Sequence, residues 1–348
     1  MKVEVIRKCR RTVPHLLEDG WLYASSGPRV MRSADLGETW YTIGWLYRDW
    51  RAMTAGVRLT DRALSHGAFN LVRLPDGGLF AITGKTQRYL PIGARVFEPV
   101  AGPVDYRPMR RGVWVDTDGA VVVADYRSNG GEYGESNRQS VRIQRWHPAT
   151  RTWEPLHAFA KGTIRHIHAV VPDPFVAGRI WLSTGDGDAE CQIVFSDDGL
   201  RTITEFLSGS QSARAADLLF TETHVYWGVE TPRGQSGIAR RAREGGDVEW
   251  LETTPCPVYY GATNEAGHFA FSTTVEPGPG VSGNHTEIYA SGDRARYDVV
   301  WSERSDPSRQ FAQTQFPRGV APGATMVWGL VATRRHEGAM FVGRLIPG

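Results

Sequence analysis

The chain carries Ser33-Ala34-Asp35-Leu36-Gly37-Glu38-Thr39-Trp40, an octapeptide of the form S-x-D-x-G-x-T-W. Asp and Gly at alternate positions make a tight hairpin. The carboxylate caps N–H groups of the turn, and Gly is free to take a positive φ. Thr39 and Trp40 then begin the next strand, with the indole expected to lie buried beneath the turn. Such a motif builds a hairpin rather than an active site. It points to a chain of repeated hairpins in which the chemistry belongs to other loops.

Working outward, degenerate relatives of the octapeptide recur. Ser196-Asp-Asp198-Gly199-Leu-Arg-Thr202 keeps Ser, Asp and Thr with Gly one place early, Ser291-Gly-Asp293 keeps the first half, and Thr152-Trp153 the last. Their spacing fits a period near fifty residues if two copies have decayed, around Arg95–Val100 and Ile238–Trp250. Each period divides into four short alternating runs, clearest in Ile164–Val171, Arg179–Thr184, Cys191–Phe195 and Thr202–Leu207. The C-terminus offers three strands, and the orphan strand Lys2–Lys8 supplies the fourth. The expectation is an all-β chain, one β-propeller over residues 1–348. Seven four-stranded blades are favoured over six, the ends closed by the N-terminal strand.

Composition agrees. Gly (39) and Trp (12) are abundant, as suits many strands and turns. A net charge of +2 gives no electrostatic case for nucleic acid. Three scattered cysteines make neither a disulfide framework nor a zinc knuckle. No apolar run approaches the roughly 18 residues of a membrane span, and the N-terminus lacks the apolar core of a signal peptide. A cytoplasmic location is expected, with secretion the alternative.

The octapeptide and the blade pattern together resemble the Asp-box, or BNR-repeat, superfamily of sialidase-like propellers. That resemblance implies that the boxes are turns between the third and fourth strands of a blade, and that a site lies on the opposite face. Sialidases carry an Arg-Ile-Pro motif in the first blade, but here Ser65-His66-Gly67-Ala68 stands before Leu74-Pro75-Asp76-Gly77. No sialidase catalytic residue is carried over. The resemblance is to the uncharacterised sialidase-like branch.

Long polar connections are read at Gly84–Ala94, Arg127–Gln139, Gly185–Glu190 and Glu276–His285. Two further segments, Arg165-His166-Ile-His168 and Gln211-Ser-Ala-Arg214, enter innermost strands on the same face. Residues two apart on a strand share a side, so His166 and His168 point the same way. They are candidate acid/base groups, with Asp186, Glu190 and Glu276 as carboxylates. Arg165, Gln211, Arg214, Arg127 and Tyr133 are candidate substrate-binding residues, with Glu132 and Tyr133 as a lid. Tyr259, Tyr260, Trp45 and Trp50 are candidates for stacking on sugar rings. No cofactor is required; if a divalent cation binds, its ligands are His166, His168 and Asp186.

The expected function is cleavage of a glycosidic bond in an acidic glycan or oligosaccharide, by a hydrolase or a uronate lyase. The alternative is a non-catalytic propeller that binds a glycan or a protein. The expected partner is an acidic saccharide, with no nucleic acid and no membrane.

Overall fold

The computed structural model describes residues 1–49, 67–127, 129, 138–309 and 311–348. Among them every extended element is a strand, and the helical segments are two 3-10 turns, Asp188–Glu190 and Gln211–Ala213. None of the described helices is long and apolar enough to cross a membrane. Five sheets have four strands each, in chain order. They run from Val13–Glu18 to Tyr41–Trp45, Asn70–Arg73 to Glu98–Val100, Val113–Val115 to Thr152–Phe159, His166–Pro172 to Thr204–Ser208, and Ala215–Phe220 to Glu249–Thr254. A nine-stranded sheet holds the rest. Within it Val258–Asn264, Phe269–Val275, His285–Ser291 and Asp298–Arg304 pair successively. Ala312–Gln315, Thr325–Val331 and Met340–Ile346 continue to Lys2–Cys9. The N-terminal strand therefore completes the C-terminal strands, from Lys2 opposite Ile346 to Cys9 opposite Met340.

A register shift marks the same place in five sheets. Between third and fourth strands it falls at Val30/Met31, Ile143/Gln144, Ile193/Val194, Ile238/Ala239 and Ile288/Tyr289. The last four recur roughly every fifty residues, the period of the sequence repeat. Such bulges add twist to a strand pair at a fixed position.

The turns explain why the octapeptide tolerates a moved glycine. In the first, Asp35 Oδ1 accepts from the N–H groups of Glu38 and Thr39 at 3.0 and 2.9 Å, while Ser33 Oγ accepts from Gly37 N at 2.7 Å. In the second, Asp198 Oδ1 accepts from Arg201 and Thr202 at 3.0 and 2.9 Å, and Ser196 Oγ from Leu200 N at 2.9 Å. Both turns need two consecutive positive-φ residues: Leu36 (53°) and Gly37 (92°), then Gly199 (72°) and Leu200 (69°). Glycine relieves one of the two and either position serves. The turn at Ser291 is shorter, with Arg294 alone at positive φ.

The chain divides into two compact units: residues 1–67, 226–241 and 247–348, and residues 68–225 and 242–246. In the first unit Leu17, Leu22, Val327, Met340 and Val342 form a core, on which Trp40, Leu36 and Cys9 pack. Trp40 is half-buried rather than enclosed, and Asp35 is exposed, because this turn lies at the sheet's rim. In the second unit the second and third sheets pack through Phe80, Ile82, Val121, Val123 and Trp146, and the third and fourth through Val122, Ile143, Ile167, Leu182 and Val194. The connection read at Gly84–Ala94 is in large part a strand, Thr86–Leu90, which pairs with both neighbours. Its polar residues Gln87 and Arg88 are buried rather than loop-borne.

Candidate functional site

The second unit brings His166, His168, Asp186, Arg165 and Arg214 together. The innermost strand of the fourth sheet, His166–Pro172, is tied to the third sheet by Ile167 N donating to Asp125 O at 2.9 Å and Val170 N to Arg111 O at 2.8 Å. Its register slips between Ile167 and Ala169, so His168 is the extra residue of a bulge. Simple two-residue alternation is thus not what aligns the two histidines. The bulge re-aims His168, and the rings still meet, with centroids 4.9 Å apart. The inner strands of two other sheets slip around His15 and Tyr259. Those residues also turn a polar group to a partner: His15 to Ser25 at 2.8 Å, and Tyr259 Oη to Glu276 Oε1 at 3.0 Å.

Strand Ile180–Gly185 delivers Asp186 onto the histidines. A Cβ at Gly185 would stand 2.8 Å from His168 Cε1, so only glycine permits this approach. His166 Nε2 lies 3.3 Å and His168 Nε2 3.2 Å from Asp186 Oδ1, which also accepts from Arg214 Nη2 at 3.0 Å. Arg165 pairs with the other carboxylate oxygen. The loop is fixed further by Gln211 Nε2, which donates to the Asp186 carbonyl at 2.9 Å and to Asp188 Oδ1 at 2.7 Å.

Electrostatics follow from this packing. Burial alone would raise the Asp186 carboxyl, but the hydrogen bonds from His166 and His168 and the charge of Arg214 hold it far below the usual range. Asp186 is therefore held as a carboxylate within its ion pairs. Burial pushes the His166 imidazolium the other way, below its ordinary value, outweighing the attraction of Asp186. His166 is a neutral imidazole at pH 7. Its ring stacks on Tyr126 at 4.1 Å and 29°.

Glu190 does not join Asp186. It is buried against Arg138, whose Nε donates to Glu190 Oε1 at 2.5 Å. Arg127 is held by Asp125, at 2.9 Å from Nε to Oδ1, and only its carbonyl faces His166. Glu276 belongs to the first unit, where Tyr259 donates to it. Tyr259 and Tyr260 are buried and offer no face to a sugar, while Trp45 is half-buried. Tyr133, Glu132 and Trp50 lie outside the described residues.

Four residues of the site were not singled out in the sequence: Asp125, Tyr126, Asn129 and Arg138. Asp125-Tyr126-Arg127 follows directly on the apolar strand Val121–Ala124, and that switch to polar residues was the available signal. Burial raises the Asp125 carboxyl against the pull of Arg127. Asn129 ties the strand ends together, donating to the carbonyls of Gln139 and Arg165 at 3.0 and 3.2 Å.

His166, His168 and Asp186 offer donor atoms within 4.8 Å of one another, a set suited to a first-row divalent ion. Arg165 and Arg214 already engage both oxygens of Asp186. A dication would have to displace these guanidinium groups or sit against them.

No family model matches the chain, and no curated protein matches it in sequence. Solved structures match in shape. YCF48 from Cyanidioschyzon merolae superimposes with a TM-score of 0.57 at 12% identity, over 99% of each chain. The fold is a β-propeller. The AfRom2 CNH domain gives 0.54 at 8% identity over 100% of each chain. The extracellular domain of BT3049 from B. thetaiotaomicron gives 0.55 at 11% identity, over 97% of this chain and 40% of that one. At such identities the likeness concerns the fold alone.

Proposed function

We propose that this propeller binds an acidic saccharide and does not hydrolyse it. The observation that carries this reading is the state of its carboxylates. Asp186 is clamped by Arg165 and Arg214, and Glu190 by Arg138, all in buried or nearly buried ion pairs. Both carboxylates are occupied by guanidinium groups, whereas most glycoside hydrolases place two free carboxyl groups on either side of the bond. Tyr126, Arg165 and Gln211, the half-buried groups around Asp186, are the reading surface of this proposal. Guanidinium and amide donors beside a phenol ring suit a uronate or similar anionic sugar. We read the Ser–Asp–Thr turns as Asp-boxes of the sialidase-like branch, and the four-strand groups as seven blades closed by Lys2–Cys9.

A second reading, eliminative cleavage of a uronate, is favoured by one feature. A neutral His166 stacked on Tyr126, beside Arg165, has the parts of a base and a carboxylate neutraliser. One experiment separates the two. Glucuronate-, galacturonate- and sialate-containing oligosaccharides are titrated calorimetrically, and ultraviolet absorbance is followed for an unsaturated product. Saturable binding without product, weakened about tenfold or more in Arg165→Lys, supports the binding reading. Product that disappears in His166→Ala moves the assignment to a lyase. Absence of binding across the panel overturns both.

A further inference from the structure

We propose that His166, His168 and Asp186 hold a first-row divalent cation, zinc before the others, at the centre of the candidate site. The three side chains are buried, and their donor atoms lie within 4.8 Å of one another. Two imidazoles and one carboxylate suit Zn²⁺, whereas Mg²⁺ and Ca²⁺ take oxygen ligands.

The distances fit a metal better than they fit hydrogen bonds. Asp186 Oδ1 lies 3.3 Å from His166 Nε2 and 3.2 Å from His168 Nε2. An N–H···O bond is usually about 2.9–3.0 Å long. Ligands bonded at about 2.0–2.1 Å to a tetrahedral zinc stand roughly 3.3–3.4 Å from one another. Acceptor capacity is also short. Arg165 uses Oδ2, and Arg214 Nη2 takes one lone pair of Oδ1 at 3.0 Å. Two imidazole nitrogens therefore converge on the lone pair that is left on Oδ1.

A cation between the three atoms replaces this crowding with three bonds. The His166 ring is disposed for it, because its Nδ1 lies 3.5 Å from the Arg127 carbonyl. A neutral imidazole has one N–H. With that proton on Nδ1, toward the carbonyl, Nε2 keeps its lone pair for the metal. Tyr126 stacks on the ring at 4.1 Å and holds its plane. Arg165 and Arg214 stay outside the ligand set and orient the carboxylate, as hydrogen-bonding partners of metal ligands do.

Charge decides what completes the site. Two guanidinium groups repel a dication, so it binds weakly alone and more tightly when an anion takes the fourth position. The sugar carboxylate is that anion, a coupling that rests on the acidic-saccharide reading. Linkage makes the effect reciprocal, so the sugar gains affinity from the metal by the same factor.

The test uses the full chain, stripped of metal by a chelator and dialysed. Zn²⁺ is titrated calorimetrically, with Mg²⁺ and Ca²⁺ as comparisons, and Co²⁺ reports coordination through its visible absorption. We expect one Zn²⁺ per chain and the intensified spectrum of four-coordinate cobalt. His166→Gln and His168→Gln should each weaken binding about tenfold or more. The surface pair His147–Glu154 is the competing site, and His147→Gln should change nothing. Imidazole NMR of the wild-type protein gives a reading that needs no variant: Zn²⁺ should shift the His166 and His168 resonances. Resonances that stay in place overturn the proposal. So does the lack of saturable binding, binding undiminished in both histidine variants, or Mg²⁺ binding as tightly as Zn²⁺. Glucuronate is then titrated with and without Zn²⁺. Equal affinity overturns the coupling and leaves the binding reading intact, whereas no glucuronate binding in either case overturns that reading and the coupling with it, but not the metal site.

Discussion

Asp186 collects four donors and Glu190 one guanidinium, and the consequences of removing each carboxylate differ from those of removing a catalytic group. Arg138 is fully buried, so Glu190→Ala leaves its guanidinium in the interior with the Asn129 carbonyl but without the carboxylate that balances its charge. The expected loss is about 3–5 kcal/mol in urea denaturation. An unchanged midpoint would mean that Arg138 relaxes to solvent and that the pair has no structural weight. His166 makes a second prediction. Its folded pKa is depressed below the unfolded value near 6.5, so the unfolded chain binds the proton first as pH falls. Its contribution to stability is complete above pH ~6.5 and declines as pH drops toward the folded value. Imidazole NMR should show His166 neutral at pH 7 and below. An imidazolium at pH 7 would contradict the burial argument.

At the scale of the element, the Ser–Asp–Thr turns are the repeated device. Gly37 has φ 92°, and a Cβ there would meet Cys9, Met340 and Trp40 side chains at 3.1 Å. Gly37→Ala should cost about 1–2 kcal/mol from backbone strain, with crowding adding to it. The matching position of the second turn, Leu200, is buried at 1% exposure in the core between the third and fourth sheets. Leu200→Ala should therefore destabilise by about 2–4 kcal/mol through a cavity rather than strain. Equal effects of both on denaturation midpoints, with no added void at Leu200, would show that the two turns are not used differently. The turn carboxylates also set an acid window. Backbone N–H donors, with hydroxyls beside them, lower the half-buried Asp198 and the exposed Asp293 to about 2. The unfolded chain takes up those protons near pH 3.9, so stability falls as pH drops from about 4 through about 2. Asp198→Asn should flatten the melting curve over that interval, and a wild-type slope in the variant would refute the assignment.

For the whole molecule, the N-terminal strand is the test of closure. Beyond its ladder to Met340–Ile346, Arg7 binds the first turn, donating to Asp35 O and Leu36 O at 2.7 and 3.2 Å and to Glu38 at 2.7 Å. Cys9 packs against the Trp40 cluster. Removing Lys2–Cys9 would strip a strand partner and leave the edge of Met340–Ile346 open to solvent and to other chains. Loss of cooperative melting, or aggregation, is the expected outcome; a truncated protein with wild-type melting would show that the strand is dispensable. Far-ultraviolet circular dichroism should be dominated by sheet.

The strands, the turns and the period of about fifty were legible because they rest on short-range chemistry: alternation of apolar residues, Asp and Ser oxygens within four residues of the N–H groups they accept from, and positive φ. His166, His168, Arg165 and Arg214 were legible as neighbours because they sit at the entries to the first strands of successive sheets, and Asp186 because it follows the strand that pairs with His166–Pro172. Their state was not. The sequence could nominate Asp186 and Glu190 as acids, but it could not show Arg138 arriving at Glu190 from 52 residues away, or Arg111 meeting Asp217 across 106. Long charged side chains reach whatever the packed sheets bring within a few ångströms. Whether a buried carboxylate is a proton donor or one half of an ion pair therefore depends on three-dimensional distance, which no local pattern encodes.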